Sequence, residues 1–258
     1  MRYLFDTGKY NLVELANGIH WDAPPINTVP WTCRGSLPLP QELEGLSEEE
    51  KRGAGYGNKL VDRAIKEFKP DVYIGIEDIW AFNNFHLKSW WNKINTMVWT
   101  TLDSLPILPQ AVEYAPKIKN YYVWASFAEK AFKEMGYNHV KTLRGSLDTS
   151  NFFRFSDKKR KKLRESHGLS NEYIVGFVFR NQLRKSVPNL LEGFKIFKEK
   201  EPKAKLLLHT HWGEGWDIPR LLQEKNIRAH DAQNAALTKC APFQVMGNIA
   251  SGAAPKAQ

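Results

Sequence analysis

The chain has 258 residues, 42% of them hydrophobic and 25% charged, with a formal net charge of +9 and a pI near 9.4. Intrinsic disorder is excluded, because 12% aromatics supply enough apolar surface to offset the entropy of ordering. No run reaches the roughly 20 apolar residues that span a bilayer, and MRYLFDTGKYNLVEL lacks the form of a secretory signal. Two cysteines, Cys33 and Cys240, make neither a disulfide framework nor a paired metal spacing. A reduced, cytoplasmic globular protein of one large domain or two small ones is expected.

The elements alternate along the chain. Tyr56–Lys69 carries Leu60, Val61, Ala64, Ile65 and Phe68 at the spacing of one helical face. Pro70 stops that helix, and Asp71–Ile76 (DVYIGI) reads as a short buried strand. Thr96–Leu102 and Tyr121–Ser126 are further strands. Phe127–Met135 is a helix ended by Gly136, which tolerates positive φ, and Val140–Leu143 is another strand. Glu172–Phe179, Val187–Lys200 and Lys205–Thr210 make a strand–helix–strand unit. Such alternation implies an α/β fold of βαβ units with mainly parallel sheets.

The positive charge is regional. Residues 117–200 hold 19 Lys or Arg against 8 Asp or Glu, and the remainder holds 18 against 20. That region should meet an anion, either a polymer or a small phosphate. A hinge between two sheets is expected near Asp148–Ser170, around the run DKKRKKLRE (Asp157–Glu165). Lys158–Lys162 reads as a solvated helix face or linker, with a nuclear signal or nucleic-acid patch as the other reading. From Ala229 to Gln258 there are nine alanines, against eleven in the preceding 228 residues, and no strand or helix period persists. An irregular natural tail and a foreign sequence from a frameshift or gene boundary both fit.

The most informative stretch is Phe177–Ser186, FVFRNQLRKS, between a strand and an amphipathic helix. Ligands of open α/β sheets bind at the carboxyl ends of strands. Arg180 follows the strand and Lys185 precedes the helix, so both cations can serve one phosphate near a helix N-terminus; surface salt bridges are the plainer reading. Glu77 and Asp78 end one strand and Asp103 another, and Arg144 precedes the hinge. These four are acceptor-side candidates facing the expected cleft, with capping and structural ion pairing as their alternatives. His209 and His211 in HTHWGEGW suggest a metal pair by type, but two histidines in an extended segment point to opposite faces and no third ligand is evident. No metal is expected.

Here the sequence resembles a known group. From Val98 to about Ile227 it is similar to the retaining GT-B glycosyltransferases, specifically glycosyltransferase family 4 and its phage and bacterial relatives. WASFAEKAFKEMGYNHVKTLRGSLDTSNFF (Trp124–Phe153) resembles the family's strand, helix and crossover through a G-V-D-x-x-x-F motif, here Gly145–Phe152 and one residue longer. FRNQLRKSVPNLLEGFKIFKEKEPKAKLLLH then matches its strand, R-x-x-x-x-K pair, helix and next strand. The resemblance implies that Arg180 and Lys185 bind the diphosphate of a nucleotide-sugar donor and stabilise its departure, with no other cofactor. Ser186 stands where the family usually has Gly. His209 to Gly213 would line the donor pocket.

The resemblance also sets boundaries. It implies two Rossmann-like parallel-sheet domains, an acceptor-side domain over 1–150 and a partial donor-binding domain over 151–228, then the tail 229–258. The family's late E-x7-E element is missing from the second domain. Glu42 and Glu50 have that spacing in the wrong domain and read as chance. Leu4–Ala16 resembles the end of a first helix and its following strand, so both ends look truncated. The alternative function is nucleic-acid binding by the basic 117–200 region, with Tyr121, Tyr122, Trp124, Phe152 and Phe153 stacking bases, or DNA-modifying glycosyl transfer. The acceptor and the oligomeric state are not encoded legibly.

Overall fold

The computed structural model of the chain describes residues 1–24, 26–212, 214–228 and 231–234. It divides into two compact units, Met1–Asp148 and Thr149–Gln258, and each is described by itself.

The first unit opens with α1 (Arg2–Asp6), β1 (Val13–His20) and β2 (Thr32–Leu37). β1 and β2 form a two-stranded parallel sheet, Val13 opposite Thr32. Then come α2 (Glu48–Gly55) and α3 (Leu60–Phe68). Ser47 and Glu50 make a reciprocal capping box on α2, and Glu42 accepts from the Leu39 amide at 2.8 Å. Both carboxylates of the chance E-x7-E pair thus close local turns. Helix α3 starts four residues later than the apolar spacing predicts, because 56–59 form a turn. It buries Leu60, Val61 and Ala64, and Lys69 ends it in the left-handed conformation ahead of Pro70.

β3 (Val72–Ile76), β4 (Asn95–Thr100), β5 (Asn120–Val123) and β6 (Lys141–Thr142), with α4 (Pro109–Tyr114) and α5 (Ser126–Glu134) between them, form the main sheet. Its order is β3-β4-β5-β6, all parallel. Right-handed crossovers between strands in consecutive order put every connection on one face. Burial follows: Val98, Tyr121 and Val123 pack with Ala111, Tyr114, Ala128 and Phe132 in one core. On the opposite face Val72, Ile74 and Ile76 are 51%, 45% and 53% exposed. The expectation of a buried strand at Asp71–Ile76 is therefore corrected. DVYIGI is apolar on both faces, but only one face carries helices.

The second unit begins with α6 (Asp157–Ser166), the basic run, which buries no residue. It continues through β7 (Tyr173–Val178), α7 (Val187–Lys200), β8 (Ala204–His209), α8 (Ile218–Glu224) and β9 (Ala232–Asn234). The sheet order is β7-β8-β9, again parallel. Val187, Leu191 and Phe194 of α7 and Ile218 and Leu222 of α8 pack on Ala204, Leu206 and Leu208. Residues 231–234 thus extend the sheet past Ala229, where the composition shows no strand period; AQN is too short to carry one. Asp231, 3% exposed, meets Lys198 at 2.9 Å, Arg228 at 3.1 Å and Lys205 at 3.8 Å. The Ala-rich tail from residue 235 lies outside the described residues.

Candidate functional site

The candidate donor site is the loop from β7 to α7. β7 ends at Val178, opposite His209 of β8, and the Phe179 amide donates to the His209 carbonyl at 3.2 Å. Arg180 follows at the carboxyl edge of the sheet, where ligands of parallel sheets bind. Its side chain is 73% exposed and its Nε lies 3.5 Å from Glu214 Oε2. Asn181 is 2% exposed. Its Nδ2 donates to the Trp216 carbonyl at 2.8 Å and its Oδ1 accepts from the Trp216 amide at 3.1 Å. The Trp216 indole donates to the Leu183 carbonyl at 3.0 Å. Segment 214–217 is thereby fastened to the loop at three points. Gly215 makes this approach possible, since a Cβ there would lie 2.5 Å from the Asn181 carbonyl oxygen.

Leu183–Lys185 form a single 3-10 turn, and Ser186 then enters the left-handed region at φ 48°. That residue caps the 14-residue α7, whose dipole favours an anion at this end, although Pro188 carries no N–H and the Asn189 amide already donates to the Ser186 carbonyl at 3.0 Å. A non-glycine residue held at positive φ is uncommon, and this one stands where the resembled family has Gly. The Lys185 side chain is half-buried, with no ion pair among the described residues. Two buried polar atoms just past β8, Thr210 Oγ1 and Trp212 Nε1, lack a hydrogen-bond partner among the described residues. Such atoms cost free energy unless something completes them.

The structure thus gathers Arg180, Lys185, Ser186 and the end of β8 at His209 on adjoining elements of one sheet edge. His209 is half-buried and His211 exposed. Gly213 lies outside the described residues. Among the described residues, no group of three His, Cys, Asp or Glu could hold a metal. Asn181, Glu214, Gly215 and Trp216 escaped sequence reasoning. The pairing of Trp216 with Asn181 spans 35 residues.

The acceptor-side candidates lie in the first unit. Glu77 follows β3; its Oε2 accepts from Asn17 Nδ2 at 2.9 Å and its Oε1 from the Asp78 amide at 3.2 Å. Asn17 Oδ1 accepts from Ser36 Oγ at 2.7 Å. This chain ties the two-stranded sheet to the end of β3, a link no local pattern announces. Asp78 Oδ1 accepts from Thr101 Oγ1 at 2.6 Å. Asp103 and Arg144 are exposed, without an ion pair among the described residues. The nucleic-acid alternative loses two of its five stacking rings: Tyr121 is fully buried and Tyr122 half-buried, whereas Trp124, Phe152 and Phe153 are exposed.

No family model and no curated protein matches the chain. Solved structures do. Sucrose-phosphate synthase from Thermosynechococcus elongatus is 15% identical over 94% of this chain and 64% of its own, with a TM-score of 0.62. A trehalose-6-phosphate protein from E. coli bound with UDP-2-fluoro glucose is 14% identical over 86% and 65%, with a TM-score of 0.52. A UDP-GlcNAc 2-epimerase from Neisseria meningitidis bound to UDP-GlcNAc is 10% identical over 83% and 61%, with a TM-score of 0.51. The chain spans less than two thirds of each of these proteins. At such identities the likeness is one of fold: α/β, of the GT-B type, with Rossmann-like parallel sheets. No helix among the described residues is long and apolar enough to cross a membrane.

Proposed function

We propose that this chain belongs to the retaining glycosyltransferases of the family 4 type and moves a sugar from a nucleoside diphosphate donor to an acceptor hydroxyl, in the cytoplasm. Residues 1–150 form the acceptor-side domain and 151–228 the donor-binding domain. The observation that carries the reading is the β7–α7 loop, fixed by Asn181 and Trp216, with Arg180 at its start and Lys185 and Ser186 at the mouth of α7. The bound UDP-sugars named for two structures of this fold support it.

The chemistry follows from charge. The bond between the anomeric carbon and the β-phosphate oxygen breaks, and its electron pair leaves with the diphosphate. The carbon gains oxocarbenium character, the acceptor oxygen bonds to it on the face the diphosphate leaves, and the acceptor proton passes to the departing phosphate. Arg180 and Lys185 neutralise the charge that accumulates on the leaving group, where preorganised cations act most strongly. Ser186, His209 and Gly213 contribute donor contacts, and a phosphate or ribose oxygen would complete Thr210 and Trp212. Glu77, Asp78, Asp103 and Arg144 orient the acceptor.

The test is release of nucleoside diphosphate from a UDP-sugar. Arg180→Ala and Lys185→Ala are each expected to lower turnover by about 10²-fold or more. Near-normal turnover in both variants would overturn the assignment.

A further inference from the structure

The helix-free face of the main sheet ends in two stacked indoles. Trp99 and Trp124 have ring centroids 4.6 Å apart and planes within 12° of parallel. Trp99 lies in β4 opposite Tyr122, and Trp124 immediately follows β5, so the alternation of side chains along parallel strands puts both on one face with Ile76 and Thr101. The stack is built in. Trp99 Nε1 donates to the Leu143 carbonyl at 2.7 Å, and a Cβ on Gly145 would come within 2.3 Å of the Trp124 ring. Trp124 is nonetheless 39% exposed.

Polar groups border this platform. Thr101, on the same face, donates to Asp78 Oδ1, and Asp78 Oδ2 has no partner among the described residues. A flat, open aromatic surface edged by a carboxylate suits a ligand with an apolar face and a hydroxylated rim. A pyranose is such a ligand: its axial C–H groups rest on the electron-rich indole face, and its hydroxyls donate to the carboxylate. A nucleobase would also stack, but its phosphodiester would meet the carboxylates of Glu77, Asp78 and Asp103.

We infer that Trp124, backed by Trp99, is the stacking platform of a saccharide-binding site in the first unit, with Asp78 engaging the sugar hydroxyls. Its role as the acceptor site rests on the glycosyl-transfer reading above; saccharide binding itself does not.

The experiment titrates the whole chain, without nucleotide, with neutral tetrasaccharides of the gluco, galacto and manno series by isothermal calorimetry. UDP binding is measured in parallel. At least one series is expected to bind. Trp124→Ala should weaken it by about tenfold or more, the worth of one lost aromatic contact, and Trp124→Phe should restore most of the affinity while UDP binding is unchanged. Asp78→Asn, which can still accept from Thr101, should weaken the same sugar. Saccharide binding that depends on Trp124 in a chain that fails to bind UDP upholds the platform and defeats the donor reading alone. Binding of no series, binding indifferent to both Trp124→Ala and Asp78→Asn, preference for a single-stranded oligonucleotide, or burial of Trp124 in a dimer each overturns the inference.

Discussion

Asn181 holds Trp216 by both ends of its amide: Nδ2 donates to the tryptophan carbonyl and Oδ1 accepts from its N–H. Asn181→Ala removes both bonds and leaves the Trp216 backbone groups without partners. A loss of about 2 kcal/mol of stability in the second unit is expected by chemical denaturation. Asn181→Asp keeps the bond from the Trp216 amide but sets a buried carboxylate against its carbonyl oxygen, so it should be at least as destabilised as Ala. An Ala variant as stable as wild type would show that the clasp adds nothing.

Glu214 pairs with Arg180 at 3.5 Å, with both side chains half or more exposed. An exposed pair of this kind is worth little, about 0.2–1 kcal/mol, yet it occupies the cation that we propose for an incoming diphosphate. Glu214→Gln removes a competing negative charge and should tighten UDP binding by about two- to fivefold at low salt. The gain should shrink as ionic strength rises. Weaker binding in the Gln variant would make Glu214 a ligand contact instead of a competitor.

Glu129 joins α5 to β6. Lys133 lies 2.8 Å from its Oε1, and the Thr142 amide donates to its Oε2 at 2.8 Å. The Lys133 hydrogen bond, and then those from Thr142, lower its carboxyl from 4.5 to about 2. The folded chain therefore binds fewer protons than the unfolded one between those values. This contribution is fully present above pH 4.5 and is lost as pH falls to about 2. Glu129→Gln should destabilise the first unit at neutral pH, and the two stabilities should converge near pH 2 in acid titrations followed by circular dichroism. A constant gap across that range would contradict the linkage.

The strand–helix–strand unit from β7 to β8 was legible because apolar runs, a helical stripe and the intervening cations lie within one short stretch. The placement of Arg180 and Lys185 at the two ends of the β7–α7 loop was legible for the same reason. β2 was not, since Cys33, Arg34, Gly35 and Ser36 show neither alternation nor an apolar run. The open face of β3 was not legible either, because what covers a sheet is decided by strand order and not by the strand's own residues. The same holds for the Ser36–Asn17–Glu77 chain, which links β1, β2 and the end of β3 through residues up to 60 positions apart. Polar side chains that pair over such distances leave no periodic trace.

The two main apolar cores, one built around Val98, Tyr121 and Phe132 and the other around Leu191, Leu206 and Ile218, have no residue in common. Each unit is therefore expected to show its own melting transition, so that two midpoints describe the chain. A ligand stabilises the folded form it binds. In calorimetry a nucleotide should raise the transition of the second core and a saccharide that of the first. Heat alone would then report which half of the molecule has found its substrate.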